Sequence, residues 1–279
     1  MKWHILYRGP LSSCNYDCSY CPFAKTTNTK KELAIDKENL QKFVAWVKNR
    51  KETFELLFAP WGEALVRKYY REALIELSYF ENVQKITIQT NLSCATSWLK
   101  KINVKTFSLW TTFHPTQISI DKFAKKSLEL NKLGIRHSVG FVAIKEELET
   151  LEKLRKLISS ETYIWANAYK REENYYSEND IERIIKVDPL FKLNNKNYRS
   201  LDEKCSAGFT SFSVDGSGNI TRCNFIKNKI GNIYDLGFEK SLKPRLCSIQ
   251  NCKCYIGYIH LEKLNLKKVY QGVFERIPS

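Results

Sequence analysis

"HILYRGPLSSCNYDCSYCP", residues 4–22, is the stretch that decides the fold of this chain. It begins with a short apolar run that predicts a β-strand and continues into Cys14, Cys18 and Cys21, in the spacing C-x3-C-x2-C. Pro22 follows the third cysteine and predicts a loop, because proline lacks the N–H that a helix interior requires. A strand that leads into three closely spaced thiols points to metal chemistry.

The number of thiols in this loop separates two kinds of metal site. A structural zinc site uses four ligands, usually as two C-x2-C pairs. The loop offers three cysteines, and the nearest histidine in the sequence, His4, lies on the far side of a strand. Three thiolates suffice for a four-iron cluster and leave one iron open to a substrate or cofactor. The loop therefore favours an iron–sulfur cluster with an open position.

Composition and charge narrow the class of protein. The 279 residues suit one large domain or a large and a small one, and 43% apolar residues suffice for a core. No apolar run approaches the ~18 residues of a membrane span, and the N-terminus lacks a signal-peptide cleavage site. The charge of +15 is spread along helix-like stretches, which favours solvated lysine-rich faces. We therefore expect a cytoplasmic protein without a membrane partner or a dedicated nucleic-acid site.

The nine cysteines form two groups and one outlier. A reducing compartment disfavours disulfides, so clustered cysteines predict metal binding. Cys94 stands apart, and its expected role is that of a small buried hydrophobic side chain. The second group lies in the C-terminal part of the chain and consists of Cys205, Cys223, Cys247, Cys252 and Cys254.

Strand-like and helix-like segments alternate as far as residue 190. Most strand-like segments are apolar nearly throughout, as is typical of parallel strands covered on both faces. In the first helix, which is predicted over 36–48, Asp36 is placed to cap the start. The pattern predicts a partial (β/α)6 barrel or an open parallel sheet, with active residues at the carboxyl ends of the strands. The predicted strands are 4–8, 54–58, 85–90, 106–112, 137–144 and 162–168.

The pattern changes after residue 190. "FTSFSVDGSGNITRCNF", residues 209–225, predicts two short strands around a glycine-rich turn. The cysteine-rich segment has too few apolar positions for an independent core, so we expect a metal-stapled appendage. The predicted domains are 1–195, the partial barrel, and 196–279, a small iron–sulfur domain.

The first cysteine loop resembles that of the radical S-adenosylmethionine (SAM) enzymes. In that family an aromatic residue, here Tyr20, precedes the third cysteine of a C-x3-C-x2-C loop after the first strand of a β/α barrel. The resemblance implies that Cys14, Cys18 and Cys21 hold a 4Fe-4S cluster whose open iron binds SAM. It also implies reductive cleavage of SAM to a 5'-deoxyadenosyl radical, which abstracts hydrogen from a substrate.

Further motifs extend the resemblance along the barrel. "FAPWGEAL", residues 58–65, is similar to the family's Gly-Gly-Glu-Pro element, although Trp61 and Ala64 depart from its usual Gly and Pro. "QTNLS" and "WTTFHPTQ" end the third and fourth strands, where the family binds the rest of SAM. The residues that the resemblance assigns to SAM, besides Tyr20, are Gly62, Glu63, Asn91, Thr112, His114 and Val142.

The second cysteine group is similar to the auxiliary-cluster modules of this superfamily. Cys205, Gly218 and Cys223 have the spacing of the entry to such a module. The five cysteines of this group suit the shorter, single-cluster "twitch" version, in which four would ligate and one would be spare. A structural zinc ion remains the alternative.

The resemblance implies an enzyme that modifies a peptide or protein side chain and takes electrons from a flavodoxin- or ferredoxin-type reductant. A small metabolite or a nucleotide-derived substrate is the alternative within this class. A non-catalytic, metal-stapled RNA-binding or interaction protein is the alternative from a different class. Candidate substrate-pocket residues near strand ends are Tyr7, Arg8, Trp110, Trp165, Asn167 and Tyr169.

Overall fold

The computed structural model describes residues 1–21, 23, 26–270 and 272–279, so the loop predicted from Pro22 lies outside the described residues. Its strands are β1 (Lys2–Arg8), β2 (Thr53–Phe58), β3 (Val83–Thr90), β4 (Phe107–Phe113), β5 (Arg136–Ala143), β6 (Ile164–Ala168), β7 (Tyr198–Arg199), β8 (Lys204–Cys205), β9 (Ser211–Asp215), β10 (Asn219–Cys223), β11 (Ile226–Asn232), β12 (Arg245–Leu246) and β13 (Asn251–Cys252). Its helices are α1 (Lys30–Lys48), α2 (Lys68–Leu77), α3 (Ile120–Lys132), α4 (Leu148–Leu157), α5 (Glu178–Ile185), α6 (Phe191–Asn194) and α7 (Tyr255–Tyr258). No helix in this described part combines the length and apolar character needed to cross a membrane.

The described residues form a nine-stranded sheet in the order β11-β10-β9-β1-β2-β3-β4-β5-β6. Strands β1 to β6 are parallel and follow one another in chain order. The predicted mixed α/β fold with a large parallel sheet is confirmed, while closure into a partial barrel stays a prediction. Because right-handed crossovers in this strand order all pass over the same side, α1 to α4 cover one face of the sheet. Helix α5 follows β6 and joins this face, since its Ile184 packs in the same apolar cluster.

The two faces of the parallel strands have different cover. Side chains alternate between the faces, so Ile5 packs with the helices and the adjacent Leu6 packs with the C-terminal segment. We call the face away from the helices the site face. Its apolar middle, which includes Trp110 and Trp165, is buried against residues 255–274. The C-terminal segment is therefore the second layer that a one-sided arrangement of helices requires.

The C-terminal strands continue the same sheet. Strand β9 pairs in parallel with β1, and β10 and β11 follow in antiparallel order. Strands β9 and β10 lie in the segment predicted to form a hairpin, and β11 was not predicted from the sequence. The sheet thus runs across residue 195, and the division into two domains stays a prediction.

Helix α1 starts earlier than its apolar period indicates, so the prediction that Asp36 caps it is wrong. Thr29 is the N-cap: its side chain accepts a hydrogen bond from the backbone of Glu32, and the Glu32 side chain accepts one from the backbone of Thr29. The first three residues of α1, Lys30, Lys31 and Glu32, are charged and give no apolar signal for a start at Thr29. Asp36 is buried inside the helix, where it accepts hydrogen bonds from Tyr69 at 2.7 Å and Tyr70 at 3.2 Å.

Candidate active site

A cavity of about 350 Å³ opens at the carboxyl ends of the parallel strands, on the site face. The structure brings together there all but one of the residues predicted for the cluster and for SAM. Tyr20 does not line the cavity, but its hydroxyl reaches His114, which does. The predicted residues that line the cavity are Cys14, Cys18, Cys21, Gly62, Glu63, Asn91, Thr112, His114 and Val142.

One sulfur of the first cysteine loop accepts hydrogen bonds from neighbouring N–H groups. The Cys14 sulfur accepts from the Tyr16 backbone at 3.4 Å and from Asn91 Nδ2 at 3.7 Å. The Cys18 carbonyl accepts from the Cys21 N–H at 3.1 Å, which folds the loop back on itself. Sulfurs that accept N–H hydrogen bonds suit an iron–sulfur cluster, whose potential depends on such bonds.

The thiols of the described residues form no disulfide and no metal-site arrangement. All nine cysteines lie in the described part of the chain, and none forms a disulfide. Burial raises the pKa of Cys14, so without a metal this thiol is neutral at pH 7. Among the described residues no set of three His, Cys, Asp or Glu side chains is arranged as a metal site. The donor types fit a cluster, and the ligand sets stay predictions.

Gly62 joins the turn after β2 to the cysteine loop. A Cβ atom at this position would lie 1.9 Å from the carbonyl oxygen of Ser13, so only glycine allows the contact. The N–H of Glu63 donates to that carbonyl oxygen at 3.1 Å. The turn therefore docks directly against the residue before Cys14, which fixes Glu63 beside the cysteines.

Glu63 is a buried carboxylate with partners of neutral charge. One of its oxygens, Oε1, accepts from the Leu65 N–H at 3.0 Å and from the Thr90 hydroxyl at 2.9 Å, and Oε2 accepts from the Asn91 N–H at 2.6 Å. Burial raises the pKa of Glu63, and these hydrogen bonds oppose the rise. No cation of the described residues pairs with it. About one of the roughly four acceptor positions of a carboxylate is left for a ligand.

The turn after β3 is held in a strained shape. Leu92 follows Asn91 in this turn, and its φ of 56° lies in the left-handed region. This conformation costs a non-glycine residue about 1–2 kcal/mol. Lys126 offsets the strain by donating from Nζ to the carbonyls of Leu92, Ser93 and Cys94 at 2.8, 2.8 and 2.9 Å. The sequence did not single out Lys126, because a lysine-rich helix is typical of a solvated face.

His114 is positioned by Tyr20. The two rings stack with an interplanar angle of 10°, and the Tyr20 hydroxyl and His114 Nδ1 share a hydrogen bond of 2.8 Å. Burial lowers the pKa of His114 to about 4, so the imidazole is neutral at pH 7. The aromatic residue before the third cysteine thus acts on the cavity through the histidine after β4.

Only some of the candidate substrate-pocket residues line the cavity, because their side chains point to different faces of the strands. Arg8, Trp110, Trp165 and Asn167 line the cavity. The prediction for Tyr7 is wrong, because its ring packs in the core 4.4 Å from that of Phe43. Alternation explains this, since Arg8 and Tyr7 must face opposite sides. Tyr169 lines two neighbouring clefts instead.

Arg8 enters the cavity as a buried cation. Its Nε donates to the Ala59 carbonyl at 2.5 Å, and Nη1 donates to Asn224 Oδ1 at 2.6 Å. The guanidinium lies 4.0 Å from the centre of the Trp61 ring. Burial lowers the pKa of Arg8 to about 10, which still leaves it charged at pH 7. Asn224 comes from the C-terminal region, and no local sequence signal connects it to β1.

The five thiols of the second cysteine group differ in exposure. Burial and the electrostatic influence of the neighbouring thiols raise the pKa of Cys252 to about 12. Cys205 is influenced in the same way by Cys247 and Cys223. Cys254 is exposed and lines the main cavity, where its charge would act on Arg8. Cys254 acts on Cys252 as well, so the five thiols lie near one another, and Cys254 differs from the other four in being exposed and in lining the cavity.

No family model and no curated protein matches this chain. Solved structures do match. Polyhistidine-tagged anSMEcpe with bound AdoMet has a TM-score of 0.59 and 16% sequence identity, over 88% of this chain and 81% of that chain. This chain has the fold of anSMEcpe. Native anSMEcpe with bound AdoMet and Kp18Cys peptide gives a TM-score of 0.57 and 16% identity, over 88% and 81% of the two chains.

Proposed function

We propose that this protein is a radical SAM enzyme. The observation that carries the proposal is the cavity that Cys14, Cys18 and Cys21 share with Glu63 and His114, at the carboxyl ends of the parallel strands. Active sites of parallel β/α folds lie at these ends. The fold common to this chain and AdoMet-bound anSMEcpe supports the proposal.

Each cavity residue has a role in binding or orientation. In this proposal Cys14, Cys18 and Cys21 hold a 4Fe-4S cluster and leave one iron for SAM. When bound, the cluster and SAM supply a one-electron cleavage that yields a 5'-deoxyadenosyl radical. The last acceptor position of Glu63 takes a hydrogen bond from the SAM ammonium group, which burial strengthens. Thr112, His114, Val142 and Asn91, which line the same cavity, would hold the nucleoside part of SAM.

We infer that the auxiliary cluster of the region 196–279 is held by Cys205, Cys223, Cys247 and Cys252. These four thiols influence one another and are all less exposed than Cys254, and the difference in exposure supports this set. Cys254 is then the spare cysteine, exposed to the main cavity. This arrangement corresponds to a twitch-like domain beside a radical SAM partial barrel. A zinc ion on the same four thiols is the alternative, and the metal content of anaerobic protein decides between them.

For the substrate we propose a peptide or protein side chain, with a flavodoxin- or ferredoxin-type protein as the electron donor. The support is by analogy, since anSMEcpe has been solved with a bound peptide. A small metabolite is the alternative. Peptide-sized and metabolite-sized fractions of a heat-treated extract of the source cells separate the two. A peptide substrate predicts that the peptide-sized fraction alone stimulates 5'-deoxyadenosine formation and that protease treatment abolishes the stimulation.

The proposal is tested by 5'-deoxyadenosine formation from SAM. Protein reconstituted anaerobically with iron and sulfide and reduced with dithionite should form it. A triple variant with Cys14, Cys18 and Cys21 replaced by Ala should form none and should lose about four irons. Cys94→Ala is the matched control and should behave as the wild type, because Cys94 lies outside the cavity. Product formation by the triple variant at the wild-type rate would refute the proposal.

A further inference from the structure

Arg276 is a buried cation that lines the main cavity without an ionic partner. Its side chain belongs to the C-terminal tail, is 3% exposed, and reaches the same cavity as the cysteines. Its Nε has no hydrogen-bond partner, and no carboxylate of the described residues lies within ion-pair distance of its guanidinium, while the buried Asp188 acts on it electrostatically from farther away. Burying an unpaired charge costs several kcal/mol. A fold that keeps this charge without a partner leaves its N–H groups for a ligand.

Three aromatic rings hold the guanidinium in place. Its carbon lies 3.8 Å from the centre of the Trp165 ring, 4.7 Å from that of Tyr255 and 5.5 Å from that of Trp110. The Trp165 ring fits only because Gly140 has no side chain, since a Cβ atom there would lie 2.1 Å from the ring. The rings compensate part of the desolvation by cation–π attraction but accept no hydrogen bond in the guanidinium plane.

The backbone at Arg276 is strained and firmly anchored. Its φ of 51° lies in the left-handed region, which a long side chain rarely adopts. The preceding residue, Glu275, fixes the chain by ion pairs with Lys85 at 3.0 Å and Arg136 at 2.6 Å. Its carbonyl also accepts from the Ser138 hydroxyl at 3.3 Å. Strain of this kind persists where the surroundings enforce it, and it clusters at ligand-binding sites.

We propose that Arg276 binds a carboxylate group of the substrate. The planar guanidinium fork matches a carboxylate with two parallel hydrogen bonds. One unpaired guanidinium balances one negative charge, whereas a phosphate dianion would remain half unpaired in this aromatic surrounding. Arg8 already donates two hydrogen bonds to chain oxygens, so Arg276 is the less satisfied of the two cavity arginines.

The carboxylate site lies deeper in the cavity than the proposed SAM site. Trp110 and Trp165 each precede by two residues a cavity-lining residue farther along the same strand, Thr112 and Asn167. Two residues of a strand span about 6.6 Å.

The inference rests on the proposed function for the identity of the ligand as a substrate. Binding of an anion by Arg276 does not itself need the cluster chemistry.

An anion titration tests this site. Reconstituted protein saturated with SAM is titrated with sodium acetate at constant ionic strength, and tryptophan fluorescence is followed because two tryptophans flank the guanidinium. We expect a saturable change whose midpoint rises at least about tenfold in Arg276→Gln, because this variant loses the charge-assisted hydrogen bonds of the fork and one such bond alone accounts for about tenfold. Arg276→Lys keeps the charge without the fork and should fall between the two. Arg183→Gln, at a surface ion pair with Glu152, is the matched control with a wild-type midpoint.

Each outcome of the acetate titration supports or overturns the carboxylate site at Arg276. The proposal is overturned if acetate gives no saturable change, or if Arg276→Gln titrates like the wild type. It is also overturned if inorganic phosphate but not acetate shows dependence on Arg276. Should Arg276→Gln fail to fold, an unchanged midpoint in Arg276→Lys overturns it. Acetate binding that depends on Arg276, in protein that forms no 5'-deoxyadenosine, would support this site and refute the proposed function instead.

Discussion

The charged side chains at the two ends of the site face differ in whether they form ion pairs. At the amino end, Glu55 pairs with Lys2 at 2.5 Å and lies 3.3 Å from His4. At the carboxyl end, the buried charges of Glu63 and Arg276 find no ionic partner among the described residues. The apolar middle of the face separates the two ends. Charges that are paired within the chain stabilise the fold, and charges that are left unpaired around a cavity are available to ligands.

Adjacent residues of the tail show this contrast most directly. Glu275 is 1% exposed and is paired with Lys85 and Arg136 at the amino ends of β3 and β5. Arg276 is 3% exposed and points into the cavity. Because burial is the same, desolvation alone cannot account for the different pairing. Glu275 therefore anchors the tail at the amino end of the site face, and Arg276 contributes a cation to the cavity.

The largest effect is expected where the same contrast applies to cysteines. Cys252→Ser should remove one of two clusters, about four of about eight irons, because Cys252 lies among the buried thiols. Cys254→Ser should keep the full iron content, since this thiol faces the cavity. Iron and sulfide analysis of anaerobically reconstituted variants measures both. Loss of iron in Cys254→Ser would show that the division between inward and cavity-facing thiols is wrong.

The second-largest effect concerns the stability that the ion pair of Glu55, at the amino end of the site face, gives to the folded protein. Ion pairing lowers the pKa of Glu55 to about 2 against the opposing effect of burial. A depressed carboxyl pKa stabilises the folded state above the unfolded pKa near 4.5, and this stabilisation is lost as the pH falls toward 2. Glu55→Gln should therefore lower the free energy of unfolding by up to about 3 kcal/mol at pH 7. The difference from the wild type should shrink between pH 4.5 and 2.

Urea denaturation at a series of pH values measures this difference. Glu152→Gln is the control, because its ion pair with Arg183 is partly exposed and such pairs contribute about 0–1 kcal/mol. Equal losses in the two variants would mean that the amino-end pair is no stronger than a surface pair.

The sequence was informative where structure depends on neighbours along the chain. The apolar runs placed β1 to β6 to within a few residues, and each predicted SAM contact in a turn after a strand reached the cavity. Strand ends of a parallel sheet converge regardless of loop detail, which is why Asn91 and His114 could be placed without knowledge of packing. The prediction for Tyr7 was wrong for a local reason, because the sequence did not show which residues of β1 point to the site face and which to the helices.

Long-range contacts account for what the sequence did not predict. Arg276 reaches the cavity from a tail more than a hundred residues beyond β6, and no local pattern in the sequence predicts that position. Lys126 binds the carbonyls after β3 from the middle of a polar helix. The spare cysteine of the second group could not be chosen by spacing, because burial and direction distinguish Cys254 from Cys252.

The smallest effect contrasts the two buried glutamates directly. Glu63→Gln should weaken SAM binding about tenfold to a hundredfold, since a charge-assisted hydrogen bond contributes roughly 1.5–3 kcal/mol. Glu55→Gln should leave SAM affinity unchanged, because its carboxylate lies at the other end of the site face and is already paired. Anaerobic equilibrium dialysis of reconstituted protein measures both affinities, and the visible spectrum reports whether the cluster is intact. The Glu63→Gln change keeps the size of the side chain while removing its charge, so a fall in affinity with an unchanged spectrum assigns the effect to the ammonium contact. Equal affinities in wild type and Glu63→Gln would leave Glu63 as a structural acceptor for the turns after β2 and β3, and the carboxyl end would then owe its ligand to the cysteines alone.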